Sequence, residues 1–469
     1  MKTNIAVFGS DSDHCTERSK ELAFRVGKEL AKAGTVLYVG GGEGVMEAAS
    51  EGAKSVGGYV VGIIPGDDKS RANKFCDEVI ATEEDFFKRS VTLTQTIDGA
   101  IIIEGGIGTL SEMCVAYWDF KPLIALPKSG GIAKDYAGKF LDQRYLTRIR
   151  ESKSPEDAVL KAVELVQNKK NLTKRLEEAG LSLDIFRNKP SKFIRINPRQ
   201  SISIRELRER LYLEYDIKTE LIENGIEGIY ESTNTNIGGW VNGKRNEYFN
   251  RNYFIQDLAS VVCVKELDLE EGQSLLETCA ARGFKSILAH DLMRGKIKIT
   301  ALDIDSEKYK VMLKFFKRFG VNAETQLTDA TQYKGKKFDR VLVDAPCSCE
   351  GMTISYDTEL QRDVSGFDNV VQYSQEDFFK LTDLQGRLLQ KGFEHLKDDG
   401  ALVYATCALN REENENVVRK FLRRNNNAIV VTPDMIKYNI KHESSEFGVR
   451  ILPERTKGFY FTKIRKTKS

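Results

Sequence analysis

Short apolar segments alternate with amphipathic segments in two separate series, and this pattern constrains the fold of the chain more than any other feature. The first series contains the apolar runs NIAVFG, TVLYVG, YVVGIIP and GAIIIEGG, separated by stretches of helical period such as RSKELAFRVGKELAKAG. The second series begins near residue 253 and includes SLLET, KITALDI and RVLVDAP. Strands that alternate with helices form parallel sheets with right-handed crossovers. The sequence therefore predicts an α/β protein with two separate Rossmann-like domains.

Changes of composition between the two series predict the domain boundaries. We expect a first Rossmann-like domain at 1–170, a linker at 171–190 that ends on a proline, and a second Rossmann-like domain at 253–469. The intervening segment, 191–252, combines a strand-like start, the helical stretch SIRELRERLYLEY and further short strands. This segment is predicted to form a small α+β module.

The composition is that of an ordinary globular protein. Hydrophobic residues make up 41% of the 469 positions and charged residues 30%, which argues against a disordered chain. No apolar run approaches the roughly 20 residues that a membrane-spanning helix needs. The amino-terminal stretch MKTNIAVFGS lacks the basic and apolar regions of a secretory signal. We therefore expect a cytoplasmic protein without a membrane partner.

Cysteine and histidine usage predicts neither a disulfide scaffold nor a metal site. Eight cysteines are spread irregularly over the chain, and the four histidines are scattered. The closely spaced pair Cys347 and Cys349 lacks a second pair that would complete a zinc-ligand pattern. We expect no bound metal.

Two cysteines follow successive strand-like segments of the second series. FDRVLVDAPCSCEG places Asp344 and Cys347 just beyond one segment, and GALVYATC places Cys407 just beyond another. Ligands of open α/β sheets collect at the carboxyl ends of the strands. A single free cysteine is usually a small buried apolar residue, but two thiols and a carboxylate at strand ends favour nucleophilic chemistry.

A turn of small residues earlier in this series has the features of a nucleotide site. LLETCAARGFKS predicts a strand, a small-residue turn and a helix, and Asp303 follows the next strand. Such a turn lets backbone amides approach a ligand, and an acid about 20 residues later often binds ribose hydroxyls. Taken alone, the pattern fits a buried core with acidic helix caps almost equally well.

These segments, in this order along 193–466, resemble the Sun/Fmu-type RNA cytosine-C5 methyltransferases. The resemblance implies S-adenosylmethionine as cofactor, tRNA or rRNA as substrate, and an RRM-like, RNA-binding role for the small module. It implies that Cys407 attacks the target base, that Cys347 assists release and that Asp344 contacts the base. The cofactor-binding positions it implies are Ala280, Ala281, Gly283, Lys285, Asp303, Asp329 and Asp344.

Several positions depart from that family's pattern. Arg282 stands where the family has proline, Phe284 where it has a second glycine, and Glu277 where it has aspartate. Cys349 stands where a small glycine or alanine is common. The departures leave a second hypothesis open, in which the chain is an RNA-binding protein with weakened methyltransferase activity.

Two glycine-rich strand-to-helix turns in the first series predict a phosphate or nucleotide site. Their glycines and the threonine that follows the second turn are Gly41, Gly42, Gly44, Gly105, Gly106, Gly108 and Thr109. The alternative is that these glycines only form tight turns.

The same turns resemble the LOG-like Rossmann family, which includes nucleotide monophosphate phosphoribohydrolases and molybdenum-cofactor carriers. The resemblance implies Glu112 as an acid/base and Arg89 as a phosphate or orientation partner, whereas Glu104 replaces the proline of the enzymatic members. Hydrolysis, carriage or sensing of a ligand all stay open for this domain, as does a role in joining copies of the chain into a homo-oligomer.

Overall fold

The computed structural model describes residues 2–197, 202–215, 221–223, 228–232, 240–241, 244–245, 253–357 and 362–468. The chain forms two compact units. One comprises Met1–Lys174 with Ser355–Gln375, and the other comprises Arg175–Ile354 with Glu376–Ser469. Within the described ranges, every helix is too short or too polar to cross a bilayer.

The first part of the chain alternates strands and helices as the sequence predicts. Its strands are β1 (Asn4–Gly9), β2 (Val36–Val39), β3 (Tyr59–Ile64), β4 (Glu78–Ala81), β5 (Gly99–Ile103), β6 (Leu123–Leu126) and β7 (Arg150–Glu151). Its helices are α1 (Glu17–Lys32), α2 (Val45–Lys54), α3 (Phe86–Thr96), α4 (Ile107–Trp118), α5 (Gly131–Tyr136) and α6 (Pro155–Glu178).

These strands form one parallel sheet in the order β4-β3-β2-β1-β5-β6-β7. The strand order reverses at β1, between β2 and β5, so a crevice opens beyond the carboxyl ends of these strands. On one face, α1 and α2 pack closely because Gly27 lies against the Ala49 carbonyl, where a Cβ atom would come within 1.9 Å of the oxygen. The predicted Rossmann-like fold of this region is confirmed.

A segment from much later in the chain belongs to the same unit. It contains part of the two-stranded sheet formed by β18 (Ile354–Asp357) and β19 (Arg362–Ser365), followed by α11 (Phe367–Val370). The Asp368 carboxylate accepts hydrogen bonds from the Thr147 hydroxyl at 3.1 Å and the Arg148 amide at 2.9 Å. The ring of Phe367 packs on Phe120 with the ring centroids 5.0 Å apart. These contacts fix the segment within the unit.

The small module has an α+β arrangement. Its elements are β8 (Lys192–Ile196), α7 (Ile204–Tyr215), β9 (Leu221–Glu223), β10 (Ile229–Ser232), β11 (Trp240–Val241), β12 (Lys244–Arg245) and β13 (Tyr253–Ile255). Four of the strands form an antiparallel sheet in the order β13-β8-β10-β9. Leu207 and Leu211 of α7 pack against Ile194 and Tyr253 of this sheet. An RNA-binding role for the module stays a prediction, and several of its residues lie outside the described ranges.

The remaining elements form the second large sheet and its helices. The strands are β14 (Ser274–Glu277), β15 (Lys298–Asp303), β16 (Ala323–Leu327), β17 (Phe338–Asp344), β20 (Leu396–Thr406), β21 (Ala428–Val431), β22 (His442–Ser444), β23 (Val449–Ile451) and β24 (Phe459–Lys466). The helices are α8 (Leu258–Lys265), α9 (Phe284–Leu292), α10 (Ser306–Phe319), α12 (Gln375–Glu394) and α13 (Glu415–Leu422).

This sheet runs in the order β16-β15-β14-β17-β20-β24-β23-β22, and β21 also pairs with β24. The five strands from β16 to β20 are parallel, whereas β24 is antiparallel to β20. Buried aliphatic and aromatic side chains cover both faces. The second Rossmann-like domain is therefore confirmed, and the carboxyl ends of β14, β15, β16, β17 and β20 lie along one edge.

Candidate active site

The two predicted reactive cysteines lie side by side. Strands β17 and β20 are parallel neighbours, with Asp344 paired in register with Ala405. The segments that follow the two strands therefore leave the sheet at the same point. The sulfur atoms of Cys347 and Cys407 are 2.9 Å apart, and the backbone N–H of Cys407 points to the Cys347 sulfur at 3.2 Å. Residues 60 positions apart in sequence thus form one thiol pair.

A third thiol completes a cluster at this place. The sulfur atoms of Cys347, Cys349 and Cys407 all lie within 4.8 Å of one another. Cys349 has a left-handed backbone conformation, with φ of 62°, and its sulfur lies 3.4 Å from the carbonyl oxygen of Cys347. The sequence pattern did not indicate this cluster, because Cys407 is separated from the other two cysteines by more than one secondary-structure element.

The pKa values of the three thiols are shifted in different directions. Hydrogen bonds with Cys349 and Cys407, reinforced by burial, raise the pKa of the Cys347 thiol well above its ordinary value. A hydrogen bond from Cys347 lowers the pKa of Cys407, but contact with Cys349 and burial raise it by more. Hydrogen bonds from the other two thiols lower the pKa of Cys349. These shifts disfavour the thiolate form of Cys347 and Cys407 and favour that of Cys349.

The carboxylate of Asp344 is held at the end of β17 by an ion pair with Lys285. The ammonium nitrogen of Lys285 lies 2.5 Å from the Asp344 carboxylate, and the two side chains are only 14% and 25% exposed. Burial alone would lower the pKa of Lys285, but the charge of Asp344 and the hydrogen bond to it raise that pKa by more. The ion pair thus holds the Asp344 carboxylate three residues before Cys347 in the chain.

The small-residue turn between β14 and α9 has the geometry of a ligand-binding turn. Gly283 is left-handed, with φ of 78°, and an added Cβ atom would lie 2.5 Å from the Phe316 ring, so no other residue fits. The backbone N–H of Ala281 donates to the Asp303 carboxylate at 2.6 Å, and the N–H of Ala280 donates to the Leu302 carbonyl at 2.8 Å. The turn is thus bound to the end of the neighbouring strand β15.

Two positions around this turn bear on whether it accepts a ligand. The ring of Phe284, which departs from the family pattern, packs on Phe315 of α10 with the ring centroids 5.0 Å apart. Asp329 follows β16 and accepts hydrogen bonds from the amide and the hydroxyl of Thr331, both at 2.8 Å. With Asp329, all seven predicted cofactor-binding residues lie beyond or at the carboxyl ends of β14, β15, β16 and β17.

A buried polar network supports the loops that carry the cysteines. Glu413 accepts hydrogen bonds from the Ser348 amide at 2.9 Å and from the Asn410 side-chain amide at 2.7 Å. Glu350 accepts a second hydrogen bond from the Asn410 side chain at 2.8 Å, and both carboxylates are fully buried. Burial and the charge of Glu350 raise the pKa of Glu413 to about 7. The network joins the loop after β17 to the loop after β20.

An arginine near the carboxyl end of α6 balances the charge of this network. Arg175 donates to the Glu350 carboxylate at 2.8 Å, with both side chains buried. The guanidinium also lies over the ring of Phe378, 4.0 Å from its centroid. Sequence reasoning missed these residues, because a polar run such as NREENEN, three residues after Cys407, is typical of a solvated surface.

The predicted site of the first unit is also assembled. Arg89 on α3 and Glu112 on α4, both buried, form an ion pair with nitrogen and oxygen 3.3 Å apart. Burial raises the pKa of Glu112 to about 7, although Arg89 opposes the shift. The Nε atom of Arg89 is buried and has no hydrogen-bond partner among the described residues. The guanidinium also lies close to Gly40, where a Cβ atom would come within 2.6 Å of it.

The glycines of the two predicted turns follow β2 and β5, at the carboxyl ends of these strands. Gly41 and Gly44 after β2, and Gly105 after β5, have φ values of 77°, 77° and 90°. Gly42 lies between the first two, and Gly106 and Gly108 lie at the start of α4 with Thr109. The backbone N–H of Gly105 donates to the hydroxyl of Ser10 at 3.0 Å. Glu104, which departs from the family pattern, is also left-handed, and its carboxylate accepts a hydrogen bond from the Thr16 amide at 3.2 Å.

The stability of the protein is expected to depend on pH through Glu277. This side chain is 1% exposed and accepts a hydrogen bond from the Ser286 hydroxyl. Burial raises its pKa from 4.5 to about 7. A carboxyl group whose pKa is raised by folding stabilises the protein fully below its unfolded pKa, and this contribution is lost as the pH rises through the folded pKa. The unfolding free energy of the natural protein should therefore fall between pH 4.5 and pH 7.5. In Glu277→Gln this fall should be smaller by about 1–3 kcal/mol.

Urea unfolding at both pH values measures this difference. Glu271→Gln, at a half-exposed position, is the matched control and should follow the natural protein. Equal pH dependence in the natural protein and in Glu277→Gln would contradict the assignment.

A Rossmann-like sheet with a glycine turn after β14, an acid after β15 and nucleophilic groups after β17 and β20 defines a methyltransferase-type domain. Residues 264–465 match the family model described as 16S rRNA methyltransferase RsmB/F, and residues 2–159 match the SLOG cluster4 family. The carboxy-terminal part of the chain thus resembles the RsmB/F methyltransferases, and the amino-terminal part resembles the LOG-like domains of the SLOG cluster4 family.

Individual relatives agree with the family models. Ribosomal RNA small subunit methyltransferase B of Enterobacter sp. (strain 638) is 33% identical over 224 residues, which are 45% of this chain and 46% of the relative. The probable ribosomal RNA small subunit methyltransferase B of Bacillus subtilis (strain 168) is 28% identical over 58% of this chain and 60% of the relative. The chain thus spans about half the length of the curated relatives it matches. The crystal structure of PH0851 is 20% identical over 81% of each chain, and its fold is similar to that of this chain, with a TM-score of 0.53.

Proposed function

We propose that the carboxy-terminal domain transfers a methyl group from S-adenosylmethionine to C5 of a cytosine in RNA, with ribosomal RNA as the first candidate. The observation that carries the proposal is the pair of thiols at the ends of adjacent parallel strands, with the sulfur atoms of Cys347 and Cys407 2.9 Å apart. Methylation at a ring carbon of cytosine needs a nucleophile that first adds to the base, and thiolates are suited to this addition. The RsmB/F family match of this region supports the same reaction class.

The turn after β14 fits the methyl donor. The Asp303 carboxylate accepts one backbone hydrogen bond on each oxygen, from Ala281 and Asp305, and keeps further lone pairs for ribose hydroxyls. Gly283 keeps the turn open to close backbone approach, because its left-handed conformation and its neighbour Phe316 exclude a side chain. When bound, S-adenosylmethionine supplies an electrophilic methyl group. The turn residues and Asp303 would hold it at the same edge of the sheet as the thiols.

The reaction then follows from the positions of the three catalytic groups. Cys407 gives its thiol proton to solvent, to which it is partly exposed, and its sulfur bonds to C6 of cytosine, so the electron pair of the C5–C6 double bond becomes available at C5. Asp344, held by Lys285, accepts hydrogen bonds from the base and stabilises the charge that develops on it. C5 takes the methyl group and S-adenosylhomocysteine is left. The C5 proton passes to solvent by way of the Cys347 sulfur, and the electron pair of the C5–H bond re-forms the C5–C6 double bond as the C6–sulfur bond breaks. The Cys407 thiolate is regenerated and the methylated base is released.

The target cytosine must leave its stack to reach this site. The thiols lie at the edge of a sheet, and an enzyme that acts on a base ring takes the base out of the helix or uses an unpaired one. Unpaired loops of ribosomal RNA are therefore the substrates to test first, since RNA-modifying proteins recognise splayed single-stranded bases. The polar network of Glu350, Asn410 and Glu413 keeps the two cysteine loops in register for this purpose.

Incubation of the full chain with isotopically labelled methyl donor and RNA tests the proposal. Small-subunit ribosomal RNA and tRNA are separate arms, and bisulfite sequencing locates any 5-methylcytosine. The expected result is label at a defined cytosine of the ribosomal RNA. Donor binding and RNA binding without any transfer of label would instead favour the hypothesis of an RNA-binding protein with weakened activity.

A second proposal concerns the amino-terminal domain, where the buried Nε atom of Arg89 has no hydrogen-bond partner within the part of the chain that the structure describes. We propose that Arg89 and the glycine turns bind a phosphate-bearing nucleotide, because helix N-termini and left-handed glycines present backbone N–H groups to anions. A carboxyl group with a pKa of about 7, as on Glu112, is suited to acid/base work near neutrality. Hydrolysis of the ligand is therefore an outcome to be tested together with binding.

Calorimetric titration of the full chain with nucleoside monophosphates measures this site. Arg89→Ala should weaken binding at least about 10-fold, since a charged hydrogen bond to phosphate contributes roughly 1.5–3 kcal/mol. Arg25→Ala, on an exposed ion pair of α1, should bind like the natural protein. Chromatography of the reaction distinguishes released base from bound, intact nucleotide. Equal affinity of Arg89→Ala and the natural protein would contradict the site.

A further inference from the structure

We propose that Cys347, Cys349 and Cys407 bind a thiophilic divalent metal ion, with Zn²⁺ as the ion to test, and that the bound ion blocks the nucleophile. Three sulfur atoms that lie within 4.8 Å of one another carry the proposal. The inference goes beyond methyl transfer, because it assigns a ligand to the free protein that RNA would have to displace.

The spacing of the sulfur atoms suits zinc. Zinc–sulfur bonds are about 2.3 Å long and tetrahedral, which places neighbouring sulfur ligands roughly 3.8 Å apart. The Cys347 and Cys407 sulfur atoms are 2.9 Å apart, and both lie within 4.8 Å of the Cys349 sulfur. Side-chain rotations that move the sulfur atoms by about 1 Å would therefore bring them to the spacing of zinc ligands. Three protein ligands leave the fourth position for water, as in open zinc sites.

The backbone that carries the thiols is already fixed. Cys349 is held in a left-handed turn by a hydrogen bond from the Met352 amide to its carbonyl oxygen at 2.8 Å. The carbonyl oxygen of Cys407 accepts a hydrogen bond from the Gly351 amide at 2.7 Å. Gly351 itself lies against Gly458, where an added Cβ atom would be 2.0 Å from the carbonyl oxygen. The ligands are therefore preorganised, and metal binding costs little ordering of the chain.

The charges around the cluster suit a complex of one divalent ion with three thiolates. Such a complex has a net charge of −1, and each thiol releases its proton when it coordinates. Lys457 and Lys308 act electrostatically on Cys349 and offset this charge. Cys407 is partly exposed, so the metal is reached from the side on which the target base would enter. Zinc and cytosine then compete for the same sulfur atom.

Titration of the reduced, metal-free full chain with Co²⁺ and then with Zn²⁺ tests the site without RNA or methyl donor. Co²⁺ should bind with one equivalent per chain and give the near-ultraviolet charge-transfer absorption of thiolate ligands, and Zn²⁺ should remove it by displacement. Zn²⁺ should also protect Cys347, Cys349 and Cys407 from alkylation, as read by mass spectrometry of the peptides. These readouts are independent of methyl transfer, so failure of the proposed enzymatic function would leave them unchanged.

Two variants decide whether the cluster is the site. Cys349→Ser should weaken Zn²⁺ binding at least about 100-fold, because loss of a direct ligand exceeds the 10–100-fold effect of losing a supporting hydrogen bond. Cys114→Ser, at an exposed cysteine of the other unit, should bind like the natural protein. Absence of the thiolate absorption, or equal Zn²⁺ affinity of Cys349→Ser and Cys114→Ser, would overturn the proposal. Inhibition of RNA methylation by stoichiometric Zn²⁺ is the expected consequence in the active enzyme.

Discussion

Replacement of Cys407 by alanine is expected to abolish methyl transfer to RNA while S-adenosylmethionine still binds. The alanine side chain cannot add to C6. The neighbouring thiol of Cys347 does not replace it, because Cys347 follows a different strand, β17 rather than β20. The expected loss of rate is at least about 1,000-fold, which corresponds to roughly 4 kcal/mol in the activation barrier. The residues around Gly283 and Asp303 that hold the methyl donor are unchanged.

Two measurements on this variant separate loss of chemistry from loss of structure. Calorimetry should give an unchanged affinity for the methyl donor, and the urea midpoint should move little, because Cys407 is only partly buried. Cys114→Ala, at an exposed position, is the matched control and should retain full activity. Transfer by Cys407→Ala at more than a tenth of the natural rate would show that another group attacks the base.

The strand-end positions of the reactive residues were predictable from the sequence, because period and turn composition mark where strands stop. The runs RVLVDAPC and LVYATC place Cys347 and Cys407 just beyond apolar segments, and the structure makes those segments parallel neighbours. Similarly, the glycine turn and Asp303 follow β14 and β15, which are adjacent in the sheet. In parallel sheets, position along the strand is enough to bring such residues to one edge.

The supporting network was not predictable, because the burial of a polar residue is decided by tertiary contacts. Glu413 lies in a polar run that favours a solvated surface and Glu350 lies in the loop after β17, yet both are fully buried and share Asn410. Such groups are retained inside a protein only where hydrogen bonds satisfy them. Their partners, including Arg175 on α6, are far away in sequence. No local pattern carries that information.

The third thiol shows the same limit for metal chemistry. Cys347 and Cys349 alone are one half of a ligand pattern, and the sequence offers no second closely spaced pair. The structure supplies the third sulfur from Cys407, which belongs to a neighbouring strand end. The proposed nucleophile thereby becomes a ligand candidate as well. Spacing rules detect ligand pairs within one loop, but they miss ligands that only the sheet brings together.

Replacement of Cys347 by alanine is expected to trap a covalent complex between the protein and its RNA. The Cys407 sulfur still adds to C6 and the methyl group still reaches C5, but removal of the C5 proton is impaired, so the carbon–sulfur bond persists. Because the sulfur atoms of Cys347 and Cys407 are 2.9 Å apart, the missing thiol would have been beside this bond. The complex should survive denaturing electrophoresis as a band shifted by the mass of the RNA.

The double variant Cys347→Ala with Cys407→Ala identifies the bond that holds the complex. It should give no shifted band, because the attacking sulfur is absent, whereas Cys347→Ala with Cys114→Ala should give the same band as the single variant. Mass spectrometry of the digested complex should find the nucleotide on the peptide that contains Cys407. A band that persists in the first double variant would assign the attack to a different residue. Fast turnover by Cys347→Ala without any covalent band would show that release does not depend on Cys347.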